Sequence, residues 1–89
     1  MSYKVLLDPK AAKALQKLDD TTKTRIKKAL RELHGDPYEA GDPLHPSAFW
    51  KIKIGDYRAI YQINPDKKEA IVLFIGHRKN VYDDFSKIL

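Results

Sequence analysis

A chain of 89 residues allows one domain, residues 1–89, and one core, and its balance of 43% hydrophobic and 33% charged residues argues against disorder. There is no cysteine, which excludes disulfides, thiol nucleophiles and thiolate metal sites and fits a reducing compartment. The formal net charge of +5 points either to plain solubility or to a polyanionic partner, of which nucleic acid is the commonest.

The chain opens on Met1-Ser2-Tyr3-Lys4 with no apolar leader, and its longest apolar run, residues 70–75, is too short to span a bilayer. The expectation is a cytoplasmic protein with no membrane partner. Residues 3–7 read as a short strand. Asp8-Pro9 then reads as a helix start, Asp as the cap and Pro at the first helical position. Ala11, Ala14, Leu15 and Leu18 recur at helical spacing, Asp19-Asp20-Thr21-Thr22 breaks the pattern and caps a second helix, and Ile26, Ala29, Leu30 and Leu33 form its apolar stripe up to Gly35. The outer faces of this helical hairpin carry Lys10, Lys13, Lys17, Lys23, Lys27, Lys28 and Arg31, as a solvated face or as a track for phosphates.

Residues 36–48 hold Pro37, Gly41, Pro43 and Pro46 and are expected to form a loop. Strands are expected over 49–54, 57–63 and 69–75, with Asn64-Pro65-Asp66 turning between the last two, and a helical tail over 81–88. The order β-α-α-β-β-β-α is an α+β pattern: an N-terminal strand and helical hairpin packed on a small antiparallel sheet, closed by a short C-terminal helix. The partner of the first strand is not readable from the sequence.

Two alternating runs flank Gly55-Asp56, a two-residue hairpin turn that sets Ile54 opposite Tyr57, Lys53 opposite Arg58, Ile52 opposite Ala59 and Lys51 opposite Ile60. The period of two sends Trp50, Ile52, Ile54, Tyr57, Ala59 and Tyr61 to the helix side and Lys51, Lys53 and Arg58 to the other. Like charges set opposite one another destabilise a sheet, and no acidic residue alternates in to relieve them. A phosphate is the ligand they suit, held by Lys as a point charge and by Arg bidentately. Arg78, just past Gly76, adds a cation where the last strand ends, and Tyr82 follows where a short helix folds it over the sheet. His34 and His45 look incidental, His77 adjoins Arg78, and no His/Asp/Glu spacing suggests a metal or other cofactor.

Lys51-x-Lys53, the Gly-x-Tyr-Arg turn at 55–58, and Gly-x-Arg ahead of Val81-Tyr82 resemble the RelE toxins of the RelE/ParE superfamily, over nearly the whole chain. The resemblance implies a ribosome-dependent mRNA endonuclease of a type II toxin–antitoxin pair. Such a toxin cuts the A-site codon by attack of the RNA 2′-hydroxyl on the neighbouring phosphorus and needs no metal. It implies that Lys51, Lys53 and Arg58 hold the scissile phosphate, that Arg78 stabilises charge or protonates the leaving oxygen, and that Tyr82 orients the nucleotide or acts as base. Tyr and Lys ordinarily ionise near about 10 and 10.4, and neighbouring positive charge favours tyrosinate and disfavours ammonium, so Tyr82 and Lys53 both stand as base. The segment from Arg78 to Tyr82 is shorter than in the best-known RelE toxins, and His77 stands where some members place a basic residue. The implied partners are the ribosome, mRNA and a cognate antitoxin in a higher-order complex. The antitoxin would lie against the helical hairpin or the sheet, with Phe85, Ile88 and Leu89 either in that contact or closing the core. A ParE-like gyrase inhibitor, of the same fold and without nuclease activity, is the alternative.

Overall fold

The computed structural model describes residues 2–45 and 47–87. Strand β1 (Lys4–Leu7) leads into helix α1 (Pro9–Gln16), where Pro9 takes the first helical position and the Asp8 side chain accepts from the Lys10 N–H at 2.9 Å. Helix α2 (Asp20–Arg31) is capped by Asp19, which accepts from the Thr22 N–H at 3.1 Å and from the Thr22 hydroxyl at 2.6 Å. A 3-10 turn over Glu32–His34 carries the chain to Gly35, which closes it in an ordinary right-handed conformation at φ −77°.

The expected loop is part-structured. Asp36 caps a four-residue helix, α3 (Pro37–Ala40), and a two-residue strand, β2 (Asp42–Pro43), pairs with the sheet. Pro37 is tolerated because it stands at the helix start, and Pro43 because it sits on an edge strand. Gly41 is required between them: a Cβ there would collide with the Lys51 carbonyl and the Tyr61 hydroxyl.

Three longer strands follow, β3 (Trp50–Ile54), β4 (Tyr57–Asn64) and β5 (Glu69–His77), and helix α4 (Val81–Ser86) ends the described chain. Ile88, the expected end of the tail helix, lies outside the described residues, as do Leu89 and Pro46. The sheet order is β1-β5-β4-β3-β2. The later strands run antiparallel and β1 joins β5 in parallel, with Val5 opposite Ala70 and Leu7 opposite Val72, so the sheet is mixed rather than purely antiparallel.

Each sheet face is packed. The helical hairpin lays Ala11, Leu15, Ile26, Leu30 and Leu33 on Ile52, Ala59, Tyr61, Ala70, Val72 and Ile75. A smaller cluster on the other face joins Ile60, Val81 and Phe85 with Leu44, Phe49, Leu73 and Phe74. A bulge lets β5 serve both: Ile60 opposes Phe74 and Tyr61 opposes Val72, leaving Leu73 as the extra residue. Val72 and Ile75 therefore face the helical hairpin, while Leu73 and Phe74 between them face α4.

Candidate active site

The site grows from the turn between β3 and β4. Gly55 has φ +60°, the left-handed value that a leading glycine supplies in a tight hairpin turn. The register that follows pairs Ile54 with Tyr57, Lys53 with Arg58, Ile52 with Ala59 and Lys51 with Ile60. Ile52 and Ala59 are buried under the helices, and Lys51, Lys53 and Arg58 share the opposite face, as the alternation requires. Lys53 is exposed; Lys51 and Arg58 are half-buried.

In the next strand the residue opposite Arg58 is Gly76. A Cβ on Gly76 would stand 3.2 Å from Phe74 Cε2 and 3.3 Å from Val81 Cβ, so its absence lets the start of α4 settle onto the sheet beside the cations. Helix α4 then carries Tyr82 over the same face, where Lys51 Nζ lies 5.9 Å from its ring centroid, a cation–π distance.

Arg78 is tied to the hairpin turn. Its N–H donates to the Asp56 carbonyl at 2.7 Å, and its Nε lies 3.8 Å from Asp56 Oδ1, both side chains being exposed. Arg58 bends to the same turn, its Nη1 donating to the carbonyls of Gly55 at 3.2 Å and Tyr57 at 3.1 Å. Lys51, Lys53 and Arg58 therefore share one face with Tyr82 over it, Lys51 beside the Tyr82 ring and Lys53 opposite Arg58, while Arg78 reaches the turn to which Arg58 also bonds. Among the described residues, Asp56 is the single carboxylate in ion-pair range of any of them. Sequence reasoning missed it: Asp56 reads as a turn residue, and nothing local says that Arg78 returns to it.

The histidines fall elsewhere. His77 pairs with Tyr57 on the helix-hairpin face, its ring 5.6 Å from the Tyr57 ring, and its Nδ1 accepts from the Lys79 N–H at 3.2 Å. His34 Nδ1 donates to the Tyr3 carbonyl at 2.9 Å, a structural bond. His45 lines a cleft of about 290 Å³ walled by Phe49, Tyr82 and Phe85, so the cleft adjoins the cationic face through Tyr82. Among the described residues no three His, Asp or Glu side chains stand together as metal ligands, and no helix is long and apolar enough to cross a membrane.

Fold and site define a class: a small basic α+β domain that sets lysine and arginine on one sheet face beside a tyrosine-bearing terminal helix. The family described as ParE toxin of type II toxin–antitoxin system, parDE, matches residues 5–82, and the chain belongs to that family. It is 29% identical over 92 residues to the mRNA interferase toxin RelE of Escherichia coli strain K12, covering 98% of this chain and 97% of that protein. The solved structure of an E. coli RelE mutant in the free state is 30% identical with a TM-score of 0.80, all of both chains being covered. The intact E. coli RelBE toxin–antitoxin complex contains a chain 30% identical at a TM-score of 0.75, covering 85% of this chain and 96% of that one.

Proposed function

We propose that this protein is the toxin of a type II toxin–antitoxin pair, an endoribonuclease that cleaves mRNA in the ribosomal A site and is held inactive by a cognate antitoxin. The observation that carries the reading is Lys51, Lys53 and Arg58 gathered on one sheet face with no carboxylate among the described residues in ion-pair range of them. A mixed-sign surface would neutralise such a group internally; this one is left for an external anion. The RelE relatives, which are mRNA interferases by name, supply the kind of anion.

In this mechanism the 2′-oxygen attacks the adjacent phosphorus and the bond to the 5′-oxygen breaks, giving a 2′,3′-cyclic phosphate and a 5′-hydroxyl. Lys53 and Arg58 hold the phosphate and offset the negative charge that grows on its oxygens in the transition state. Arg78, turned toward the same hairpin, stabilises or protonates the departing 5′-oxygen. Tyr82, with Lys51 Nζ over its ring, takes the 2′-hydroxyl proton. The enzyme supplies charge and little else, so the ribosome does the work of setting nucleophile, phosphorus and leaving group in line. With its antitoxin the protein would assemble further into a higher-order complex in the cytoplasm.

The test is a translation extract programmed with mRNA whose cut-site ribose lacks its 2′-hydroxyl. Cleavage of the natural message and none of the deoxy-substituted one is expected. Continued cutting of the substituted message defeats the cyclising mechanism. The family's ParE description keeps one rival in play, gyrase inhibition, and a supercoiling assay run beside the extract separates the two: blocked supercoiling with intact mRNA would replace the nuclease reading.

A further inference from the structure

The cationic surface does not stop at the sheet face. Helix α2 packs against β3, and its Arg25, the residue before the buried Ile26, reaches the β3–β4 turn: a Cβ on Gly55 would stand 3.7 Å from Arg25 Nη1. Arg58 comes to the same turn from the opposite face, its Nη1 donating to the Gly55 carbonyl at 3.2 Å. By standard backbone dimensions the two Nη1 atoms are no more than about 10 Å apart. Arg78 arrives from beyond the end of β5. Three arginines from three parts of the chain thus converge on a two-residue turn whose one carboxylate is Asp56. They are not equally engaged. Arg58 donates to the carbonyls of Gly55 and Tyr57, and Arg78 Nε has Asp56 Oδ1 at 3.8 Å. The side chain of Arg25 is exposed and makes no hydrogen bond or ion pair with any described residue.

A guanidinium carries five donors and cannot shed its charge. Set against a bare glycine beside two more of its kind, Arg25 gains no bond from the fold and is repelled by its neighbours, an arrangement that an external anion relieves. Its place at the turn where the cleavage face begins is what separates it from the other helix cations, such as Lys13 on α1. We propose that Arg25 is a further RNA-binding residue: it holds a backbone phosphate beside the one that is cut, and so carries the phosphate track of the sheet face round the hairpin tip onto α2. The ligand is an RNA phosphodiester, supplied either by the message, next along the strand, or by ribosomal RNA lying against the tip. The contact is made equally before and during bond breaking, so it serves binding and not the chemical step. The inference rests on the nuclease reading of the sheet face and adds a contact outside it.

The experiment compares Arg25→Gln and Arg25→Lys with the unaltered protein and with Lys13→Gln, which removes the same charge from α1. On message-programmed ribosomes, Arg25→Gln is expected to raise KM about fivefold at unchanged kcat, the effect of one lost phosphate contact near about 0.1 M salt. Arg25→Lys is expected to restore most of the affinity, because a point charge suffices to displace a counterion, and Lys13→Gln to change nothing. An unchanged KM in Arg25→Gln, a fall in kcat alone, or an equal loss in Lys13→Gln overturns the proposal. So does a lowered urea midpoint in Arg25→Gln that accounts for its loss of activity, which would make Arg25 structural. A short RNA with 2′-O-methyl riboses, which cannot cyclise, then identifies the source. If the phosphate is the message's, Arg25→Gln shrinks the slope of log K against log salt for this RNA by roughly 0.7. If it is ribosomal, that slope stays as it was and the weakening appears only with ribosomes whose A site is empty. A change in neither overturns the proposal. Should the unaltered protein cut no message, the nuclease reading falls, and the same salt slopes still decide whether Arg25 meets phosphate.

Discussion

Tyr61 shows how one side chain can hold the platform without touching the chemistry. It has no exposed surface, and its hydroxyl donates to the Pro37 carbonyl at 2.6 Å, pinning the segment that follows the helical hairpin to the sheet. Burial, with Asp42 and Asp36 nearby, pushes its phenol up to about 12. The unfolded chain ionises this group first, near about 10, so its contribution to stability is complete below that pH and drains away as pH climbs through about 12. Tyr61→Phe should therefore flatten the alkaline limb of the stability curve in urea titrations. It should also cost about 1–3 kcal/mol near neutrality, since the Pro37 carbonyl is left without its donor. Arg78 behaves in the opposite way. Its backbone N–H holds the Asp56 carbonyl whatever the side chain, so Arg78→Ala should unfold at the wild-type denaturant midpoint while mRNA cleavage falls about 100-fold or more, the usual loss for one charge-stabilising donor. A shifted midpoint would make the guanidinium a structural group.

At the scale of elements, α4 is the weak joint. Six residues do not hold a helix alone, so it depends on Val81 and Phe85 seating against Ile60, Phe49 and Phe74. Phe85→Ala should release α4 locally: amide exchange in residues 81–86 should approach the unfolded rate while the hairpin-side core keeps its protection, and cleavage should drop as far as in Tyr82→Phe. Uniform loss of protection would mean that the small cluster is part of the main core. The sequence exposed the hairpin over 50–61 fully, because a glycine-led turn fixes register and register fixes faces. It exposed both helix caps for the same local reason. It could not place β1, since nothing in Lys4–Leu7 encodes which strand it joins or in which direction. It hid the second core because the bulge at Leu73 shifts the period of two within one apolar run, and simple alternation has no sign for that. Pro37 and Pro43 read as breakers in the sequence, yet one stands at a helix start and the other on an edge strand, where proline is tolerated.

For the molecule as a whole, the question is how much of the +5 charge meets RNA. Two basic surfaces exist: the sheet face with Lys51, Lys53, Arg58 and Arg78, and the outside of α1 and α2. Salt dependence separates them, because each phosphate neutralised on a single strand contributes roughly −0.7 to the slope of log K against log salt. If the four sheet cations alone engage backbone, the slope for an uncleavable single-stranded RNA should be roughly −2.8, and affinity should fall roughly 50-fold between about 0.05 and 0.2 M salt. Lys53→Gln should then shrink the slope by roughly 0.7, and Lys13→Gln, on the helical hairpin, should leave it unchanged. Because counterion release counts contacts rather than total charge, the two substitutions remove the same charge and differ only in where it sat. A slope well steeper than −4, sensitive to Lys13, would place RNA on the helical hairpin as well. The sheet face would then be one part of a longer phosphate track, and the like-charge strain between Lys53 and Arg58 would no longer mark it as the place where the chain is cut.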